Sequence, residues 1–339
     1  MNIPTNHLTM EQIASMTGVS RTTVWRVINN KGKVSLKARK AIVSYLNTCS
    51  YSKNSLASSL KRRYSNVIGV IFSDIENPFY AEALKGIEVA CRENHYSVIF
   101  CNSHENHEEE KRAMFLLMEQ RIAGMIVIPV EKSDLNIDII KSAGIPITFL
   151  ARYLKTYGGS RVIFDDYHAG YMATSHLVKK GHKKIAHIAG SPGTSCTEDR
   201  LEGYNKALER SGIPVDPTLI FYTNSMLEEG KKATLDLLNM TKDVTAIFAY
   251  SDFVAFGVIE AIQELGIKIP QEMAVVGCDN TRLSKIVGLT TVSFEKINMG
   301  KMATSILFDH IEYTRKNGKM SDENKVRISK PNLVLRNTT

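Results

Sequence analysis

Short apolar runs alternate with segments of helical length from Val67 onward, and this alternation most constrains how the chain folds. The same order is repeated along this region: a strand-like run, then a polar loop, then an amphipathic helix. This repetition indicates parallel sheets with helices on both faces. The predicted strands are Val67–Phe72, Val98–Cys101, Met125–Ile128, Ile147–Leu150, Val162–Phe164, Ile185–Ala189, Ala246–Ala249 and Ala274–Gly277. The predicted helices lie near Tyr80–Asn94, Glu108–Gln120, His168–Lys180, Arg200–Ser211, Leu227–Leu238 and Val254–Leu265.

The eight predicted strands fit two similar lobes better than one sheet, because both halves of this region repeat the same order of strand, polar loop and helix. In open α/β sheets, ligands bind at the carboxyl ends of the strands. The pattern therefore predicts a two-lobe α/β core with a ligand cleft between the lobes.

The N-terminal segment has a different pattern, that of two short helices around a tight turn. Thr9 and Gln12 have the spacing of a capping box at the start of the first helix. Gly18 suits the turn, since a positive φ costs glycine little. Ser20 is placed to cap the second helix. A third helix is predicted from about Ser35 to Leu46, which would close a small all-α domain.

The second helix has one apolar and one polar face. Val24 and Val27 lie three residues apart and are predicted to point inward. The opposite face carries groups that reach base edges and phosphates in a major groove: Arg21, Thr22, Trp25, Arg26 and Asn29. An ordinary helical hairpin with a polar face is the alternative, and the capping residues, turn glycine and hydrogen-bond donors in register argue against it.

Positive charge is concentrated in this N-terminal segment. Residues 1–65 contain eleven Lys or Arg and one acidic residue, Glu11, whereas the rest of the chain is near neutral. A basic head on a neutral body indicates a nucleic-acid-binding module joined to a second domain. A membrane-surface role is the weaker alternative, because no long basic amphipathic helix with an apolar aromatic face occurs.

The composition excludes several other classes of protein. The 339 residues contain no apolar run long enough to span a membrane and no signal-peptide pattern, which predicts a cytoplasmic protein. The five cysteines show no metal-ligand spacing, so reduced thiols are expected. No metal or other cofactor is predicted.

A Ser-rich, basic segment joins the two regions. It contains Leu56 and Leu60 at helical spacing, followed by Lys61-Arg62-Arg63. This segment is too polar to fold alone, so we expect a linker that forms a helical turn or two only where a partner or DNA supplies the surroundings.

Three motifs suggest chemistry but have simpler explanations. His104 and His107 beside Glu108-Glu109-Glu110 resemble a metal site, although an acidic first turn of a solvated helix explains them better. Gly190-Ser191-Pro192-Gly193 lacks the order of a phosphate-binding loop, which leaves a strand-to-helix turn lining the cleft. Ser251-Asp252 has no nucleophile elbow around it, so no enzyme activity is predicted.

Motifs spread along the chain resemble those of the lactose-repressor/galactose-repressor (LacI/GalR) family of bacterial transcriptional regulators. They are Ile13-Ala14, Gly18-Val19-Ser20, Thr23-Val24, Arg26-Val27-Ile28-Asn29, Asn54-Ser55-Leu56-Ala57, Leu60, Ile68-Gly69-Val70-Ile71, Asn77-Pro78-Phe79-Tyr80, Gly181-His182-Lys183-Lys184-Ile185-Ala186, Arg200-Leu201-Glu202-Gly203-Tyr204, Val275-Val276-Gly277-Cys278-Asp279-Asn280 and Leu289-Thr290-Thr291-Val292.

The resemblance implies three parts in the chain. They are a helix-turn-helix DNA-binding head (1–50), a hinge helix or linker (51–64), and a core like a periplasmic sugar-binding protein (65–339). The chain would cross between the lobes of this core three times. Lobe one would comprise about 65–161 plus 293–320, and lobe two about 162–292 plus 321–339, with a last strand near Leu333–Leu335.

The resemblance also assigns roles to individual residues. Arg21, Thr22 and Arg26 match base-reading positions, and Ser20, Thr23 and Asn29 match positions that contact phosphates. Leu60 matches a leucine that enters the minor groove and kinks DNA, and Leu56 matches a contact between paired hinge helices. The full implied DNA-binding set adds Thr9, Trp25, Asn54 and Ala57.

On the effector side, the matches are Phe79, Tyr80, Arg200, Ser251 and Asp279. Arg200 matches an arginine that binds sugar hydroxyls or a ligand carboxylate, and Asp279 matches an acceptor carboxylate. A structural salt bridge is the alternative role for Arg200.

Four residues depart from the family pattern. Trp25 replaces a small hydroxyl residue on the recognition helix, so the operator is expected to deviate. Lys53 replaces the usual hinge proline and Ser58 the usual arginine, so the hinge helix is expected to start less sharply. Ala151 stands where many sugar-responsive members have Asp, which weakens the case for a simple neutral sugar.

Two hypotheses from different classes follow. The first is a dimeric regulator that binds a pseudo-palindromic operator, with double-stranded DNA and a small-molecule effector as partners and no membrane partner; a tetramer stays open. The second is a ligand-binding or sugar-processing α/β protein. The basic head argues against the second, as does the lack of a convincing nucleophile.

Overall fold

The structure is a computed structural model that describes residues 9–28, 31–48, 65–130 and 133–339. The chain divides between residues 65 and 66 into two compact units, a small head and a large core. Among the described residues, no helix is both long and apolar enough to cross a bilayer.

The head consists of three described helices, α1 (Met10–Thr17), α2 (Arg21–Ile28) and α3 (Leu36–Thr48). The predicted capping box is confirmed: the Thr9 hydroxyl accepts from the Gln12 amide at 3.2 Å, and Gln12 Oε1 accepts from the Thr9 amide at 2.8 Å. Gly18 follows α1 with φ +66°, as a left-handed cap requires.

The helix pair closes over a small apolar core. Val24 and Val27 are buried, as predicted, together with Ile13 and Ile42. The Ser20 hydroxyl accepts from the Thr23 amide at 3.2 Å, which confirms Ser20 as the cap of α2. Val24 and Val27 pack on Ile13 and Ile42 of the other two helices, and this burial fixes which face of α2 points outward.

The core alternates strands and helices, as predicted. Its strands are β1 (Val67–Phe72), β2 (Ser97–Asn102), β3 (Gly124–Val127), β4 (Ile147–Ala151), β5 (Arg161–Phe164), β6 (Ile185–Ala189), β7 (Ile220–Tyr222), β8 (Ala246–Ala249), β9 (Ala274–Asp279), β10 (Thr290–Ser293), β11 (Val326–Ser329) and β12 (Asn332–Val334). Its helices are α4 (Pro78–Glu93), α5 (His107–Glu119), α6 (Asp134–Ser142), α7 (Asp166–Lys179), α8 (Ser195–Arg210), α9 (Leu227–Met240), α10 (Asp252–Glu264), α11 (Arg282–Val287) and α12 (Lys296–Asn317), with a 3₁₀ turn at Pro217–Leu219.

The strands form two six-stranded sheets, one in each lobe. The first has the order β11-β5-β4-β3-β1-β2, and its strands are all parallel. The second has the order β12-β10-β9-β8-β6-β7 and is parallel except for β12. The chain passes between the lobes after β5, after β10 and after β11. The predicted two-lobe fold with three crossovers is therefore confirmed.

The lobe boundaries differ from the sequence-based ones at two places. The sequence placed residues from 162 onward in lobe two, but β5 pairs with β4 and lies in the first sheet. The sequence also placed 321–339 in lobe two, whereas β11 pairs with β5 and only β12 joins the second sheet. Pairing with β4, about 12 residues earlier, places β5, and backbone hydrogen bonding between segments about 165 residues apart places β11, for example between Arg161 and Lys325.

Two glycines let α7 and α8 pack backbone against backbone. A Cβ on Gly170 would lie 2.0 Å from the Arg200 carbonyl oxygen, and a Cβ on Gly203 would lie 2.1 Å from the Tyr167 carbonyl oxygen. No side chain fits at either position without moving a helix. The two glycines thus fix the position of α8, which carries Arg200.

We expect Gly203→Ala to lower the free energy of unfolding of the core by about 2–3 kcal/mol, because the added methyl group overpacks a backbone contact. Urea unfolding followed by far-UV circular dichroism measures the change, since the single tryptophan lies in the head. Gly158→Ala is the matched control, because its Cβ would meet no atom closer than 3.4 Å. Equal stability of the two variants would contradict the close-packing interpretation.

Candidate DNA-binding and effector-binding sites

The outward face of α2 carries the residues predicted to read DNA. Ser20, Arg21, Thr22, Trp25 and Arg26 are exposed, as is Thr9 before α1, and Thr23 is half-buried. Their side chains lie opposite the buried valines, so one helix face presents guanidinium, hydroxyl and indole donors together. The predicted residues Asn29, Asn54, Leu56, Ala57 and Leu60 lie outside the described residues, as do Lys53 and Ser58.

One of these donors has an acidic neighbour within the head. Arg21 Nη1 lies 2.8 Å from Glu11 Oε1, and both side chains are more than half exposed. An exposed pair of this kind contributes about 1 kcal/mol or less, so a phosphate or a base edge competes with it readily.

A small cavity lies at the carboxyl ends of the strands of both lobes. Its volume is about 30 Å³, space for about two water molecules. Four of the five predicted effector residues line it together: Phe79, Arg200, Ser251 and Asp279. The other lining residues are Asn77, Ala151, Arg152, Phe164, Cys196 and Tyr250. The cleft is thus closed, and a sugar-sized ligand requires the lobes to separate.

The remaining predicted residue, Tyr80, does not line the cavity. It is buried, and its hydroxyl is hydrogen-bonded to Ser73 in the interior of lobe one. Burial raises the pKa of this phenol well above its ordinary value. Both residues lie in the first turn of α4, and Phe79 lines the cavity whereas Tyr80 packs edge-to-face against the Phe79 ring, with ring centres 5.0 Å apart.

The Arg200 guanidinium contacts several polar groups and an aromatic ring at the cavity. Its Nε donates to Asp166 Oδ1 at 2.7 Å, its Nη1 donates to the Tyr250 carbonyl, and its Nη2 lies 3.7 Å from Asp279 Oδ1. The guanidinium also lies 4.7 Å from the centre of the Tyr250 ring. Arg200 therefore takes part in a buried ion-pair network and lines the cavity at the same time.

The acidic groups around Arg200 have raised pKa values. Burial raises the pKa of Asp166 to about 6, and the Arg200 guanidinium limits this rise. Burial likewise raises the pKa of Asp279, again opposed by Arg200. A carboxyl group with a raised pKa donates or accepts a hydrogen bond depending on protonation, which suits recognition of ligand hydroxyl or amide groups.

Strained backbone holds Asp279 at the cavity. Asp279 has φ +121° and Asn280 has φ +51°, conformations that L-residues rarely adopt. The buried ammonium group of Lys296 donates to the carbonyl oxygens of both residues. Lys296 begins α12 in lobe one, so this contact ties the two lobes together beside a crossover. The sequence analysis missed Lys296, and no local pattern indicates it.

A second buried arginine was also missed. Arg152 follows β4 directly and donates to both carboxylate oxygens of Glu105, each at 2.7 Å. It lines the cavity beside Ala151, which has φ +63°. Its place at the carboxyl end of a predicted strand is the signal that could have identified it. Its partner Glu105 is 47 residues away, so only the fold joins the pair.

The acidic segment after β2 is helical, as predicted, but not wholly solvated. Asn106 caps α5 by accepting from the Glu108 and Glu109 amides. Glu110, however, is fully buried and accepts from the Val130 amide, Ser133 and Asn136. In the described part of the chain, no group of three or more His, Cys, Asp or Glu side chains is arranged to hold a metal ion.

Comparisons with known proteins match both units. Residues 9–54 match the family model of bacterial regulatory proteins of the lacI family, and residues 65–333 match that of periplasmic binding proteins and the sugar-binding domain of the LacI family. The chain is 34% identical over 337 residues, 98% of each protein, to the HTH-type transcriptional regulator DegA of Bacillus subtilis. It is 31% identical over 306 residues to the HTH-type transcriptional repressor PurR of Actinobacillus pleuropneumoniae, covering 90% of this chain and 91% of that protein.

Solved structures show the same architecture. The Lac repressor dimer bound to operator and the anti-inducer ONPF matches with a TM-score of 0.84 and 26% identity, over 98% of this chain and 99% of that one. The complex of the transcriptional regulator CelR with cellobiose matches with a TM-score of 0.74 and 27% identity, over 98% and 100% of the two chains. The chain therefore belongs to the LacI family of bacterial regulatory proteins.

Proposed function

We propose that this protein is a transcriptional repressor that binds a pseudo-palindromic operator as a dimer and responds to a small molecule in the cleft of its core. The observation that carries the proposal is the exposed donor face of α2, held outward by a capped helix pair with its own apolar core. The relatives named above as transcriptional regulators support it.

The DNA-binding part of the proposal assigns a task to each side chain on α2. Arg21, Thr22 and Arg26 read base edges, while Ser20 and Thr23 contact phosphates. Trp25, which is 44% exposed, lies among them and alters the operator sequence that the helix prefers. Two residues outside the described part of the chain complete this assignment: Leu60 enters the minor groove, where an inserted apolar side chain bends the duplex, and Leu56 belongs to the contact between the paired hinge segments.

The effector is a sugar, a sugar derivative or a related metabolite. Arg200 and Asp279 supply a fork of donors and an acceptor, and Phe79 and Tyr250 supply aromatic surface at the same cavity. Ala151 stands where many sugar-responsive members have Asp, so this site lacks that carboxylate. Its absence disfavours a simple neutral sugar as the effector. The core binds its ligand without transforming it, and the protein acts in the cytoplasm, where its operator lies.

Control of DNA binding operates by population shift. The effector prefers one angle between the lobes, and that angle sets the spacing of the two hinge segments in the dimer. A ligand with equal affinity for both lobe angles would change nothing. A thermal-shift screen across sugars, sugar phosphates and nucleobases, followed by operator titration with each positive compound, tests this part of the proposal.

Exposed apolar side chains on the core support a dimer. Three of the six residues of α11 are exposed and apolar: Leu283, Ile286 and Val287. Lobe one exposes Ile75, Phe100, Phe115 and Leu116. Large exposed apolar residues grouped on one short helix are typical of a protein–protein interface.

We expect Ile286→Glu to convert the dimer to a monomer of 37.9 kDa, because a charge would be buried without a partner at the centre of an apolar contact. Light scattering coupled to size exclusion measures the mass. Leu335→Glu, at a similarly exposed apolar residue outside α11, serves as the control and should stay dimeric. A dimeric Ile286→Glu variant would place the interface elsewhere.

Operator binding is tested with the DNA upstream of the gene that encodes the chain. Fluorescence anisotropy at fixed salt compares this fragment with a random duplex of equal length, since affinity for any DNA depends steeply on salt. Specific binding is at least about a thousandfold tighter than non-specific binding for proteins of this class. Equal affinity for both duplexes would favour a purely ligand-binding protein instead.

A further inference from the structure

A short loop of lobe one reaches across the cleft and contacts lobe two. The loop joins β4 to β5, and its residues 153–155 are called the strap here. The strap contacts the first turns of α8, which belongs to lobe two. The contacts join segments more than 40 residues apart in the chain.

Tyr153 makes two of these contacts. Its backbone amide donates to the buried hydroxyl of Ser195 at 3.0 Å, and its own hydroxyl donates to Asp199 Oδ2 at 3.1 Å. On the side of its own lobe, the ring of Tyr153 lies 5.2 Å from the Arg161 guanidinium, at the start of β5. The tyrosine is thus fixed in lobe one and bonded to lobe two.

Lys155 makes the third contact, an ion pair with Glu198. Both side chains are about half exposed, so the pair alone contributes little. The bond from Tyr153 to Asp199 is partly buried and has a carboxylate acceptor. Hydrogen bonds to charged groups are stronger than neutral ones, so we expect the Tyr153 hydroxyl to dominate.

The strap and the effector cavity meet on α8. Asp199 and Glu198, which the strap contacts, directly precede Arg200, and Cys196 from the same helix also lines the cavity. In this arrangement of the lobes the cavity has a volume of about 30 Å³. Separation of the lobes at this edge therefore requires these three contacts to break.

We propose that the strap is a latch that stabilises the closed arrangement of the cleft, so that an effector enters only when the strap is released. The proposal rests on the proposed function of the cleft. It adds that Tyr153, which does not line the cavity, sets how much effector is needed: weakening the strap raises the population of the open cleft before any ligand binds.

The native Cys196 reports opening of the cleft directly. It lines the cavity and is 4% exposed, so a thiol reagent reaches it only when the lobes part. Pulse alkylation of the full chain with N-ethylmaleimide, read for each cysteine by peptide mass spectrometry, gives its rate. Cys91, buried in the core of lobe one, reports global unfolding in the same sample.

We expect Tyr153→Phe to raise the Cys196 alkylation rate about tenfold, since it removes one hydrogen bond to a charged acceptor and keeps the ring on Arg161. Tyr222→Phe, at an exposed tyrosine of β7, is the matched control and should leave the rate unchanged. A rise for Tyr153→Phe no larger than that of the control would overturn the proposal. An equal rise at Cys91 would also count against it, because the chain would then be unfolding.

Charge exchange tests the third contact independently. Lys155→Glu places two carboxylates together and should raise the Cys196 rate several-fold, and adding Glu198→Lys should bring it back towards the wild-type value. Failure of the double variant to restore the rate would overturn the role of this pair. The measurement uses neither DNA nor effector. Its outcome therefore does not depend on whether the protein binds the operator.

Discussion

Replacement of Arg200 by lysine is expected to abolish the effector response while leaving operator affinity close to wild type. Lysine keeps the positive charge near Asp166 and Asp279 but lacks the planar fork that bonds Asp166 and the Tyr250 carbonyl together. In the lysine variant, an effector bound between the lobes would no longer find the rigid guanidinium N–H donors of Arg200. Operator titration with and without a compound identified by thermal shift measures the response.

Arg200→Ala is expected to act differently, through stability. It leaves the buried carboxyl group of Asp166 without its ion-pair partner, a loss of about 3–5 kcal/mol for a buried pair. Without the guanidinium, the pKa of Asp166 should rise further above its value of about 6. The alanine variant therefore tests folding, whereas the lysine variant tests recognition.

The site assignment would be rejected if the Arg200→Lys protein bound the effector, measured by calorimetry, with wild-type affinity. A matched control is Arg210→Lys, at the other end of the same helix, where the arginine contacts Tyr171 on the surface. This change preserves the helix and its charge and should leave the effector response intact. A loss of response in both variants would indicate damage to α8 rather than loss of a ligand contact.

The second prediction concerns the head. Arg26→Ala is expected to weaken operator binding by about 1–3 kcal/mol, because a bidentate contact from arginine to a base contributes that much to discrimination. Arg26 is exposed on the outward face of α2, opposite Val24 and Val27, so its removal should not disturb the head's core. Anisotropy titrations on operator and random duplexes give the two affinities.

Lys40→Ala is the control for charge, since Lys40 is exposed on α3 and has the same charge. Loss of one phosphate contact lowers affinity for all sequences similarly, whereas loss of a base contact lowers operator affinity selectively. We therefore expect only Arg26→Ala to reduce the ratio of specific to non-specific affinity. If both variants changed this ratio equally, the assignment of α2 as the recognition helix would be wrong.

Local sequence signals predicted the local structure well. The strands Val67–Phe72, Ile185–Ala189 and Ala246–Ala249 have the bounds that their apolar runs indicate, because each is buried on both faces. The capping box at Thr9 and the turn at Gly18 depend on hydrogen bonds and φ angles within a few residues, which neighbouring side chains decide.

The sequence patterns missed short or weakly patterned elements. β7 and β11 have only three and four residues, and partly exposed side chains interrupt any apolar run. The 22-residue α12 was not predicted either, although it packs on α4 through Gly86 and Gly300. A Cβ on either glycine would lie within 2.2 Å of a carbonyl oxygen, so contact with another helix places α12.

The sequence by itself determined most of the long, strongly patterned elements, the division into a basic head and an α/β core, and four of the residues that meet at the cavity: Phe79, Arg200, Ser251 and Asp279. The strands, helices and charge division follow from patterns of burial, capping and charge, which act over short stretches of chain, whereas the four cavity residues follow from the resemblance of their motifs to those of the family. Only the tertiary structure decided which sheet receives β5 and β11, why Arg152 is held by Glu105, and that the strap crosses to α8. The pairing of β5 with β4 joins residues 12 positions apart and the other contacts join residues more than 40 apart, and no local pattern encodes the partner, because the free energy of each contact exists only once the lobes have folded.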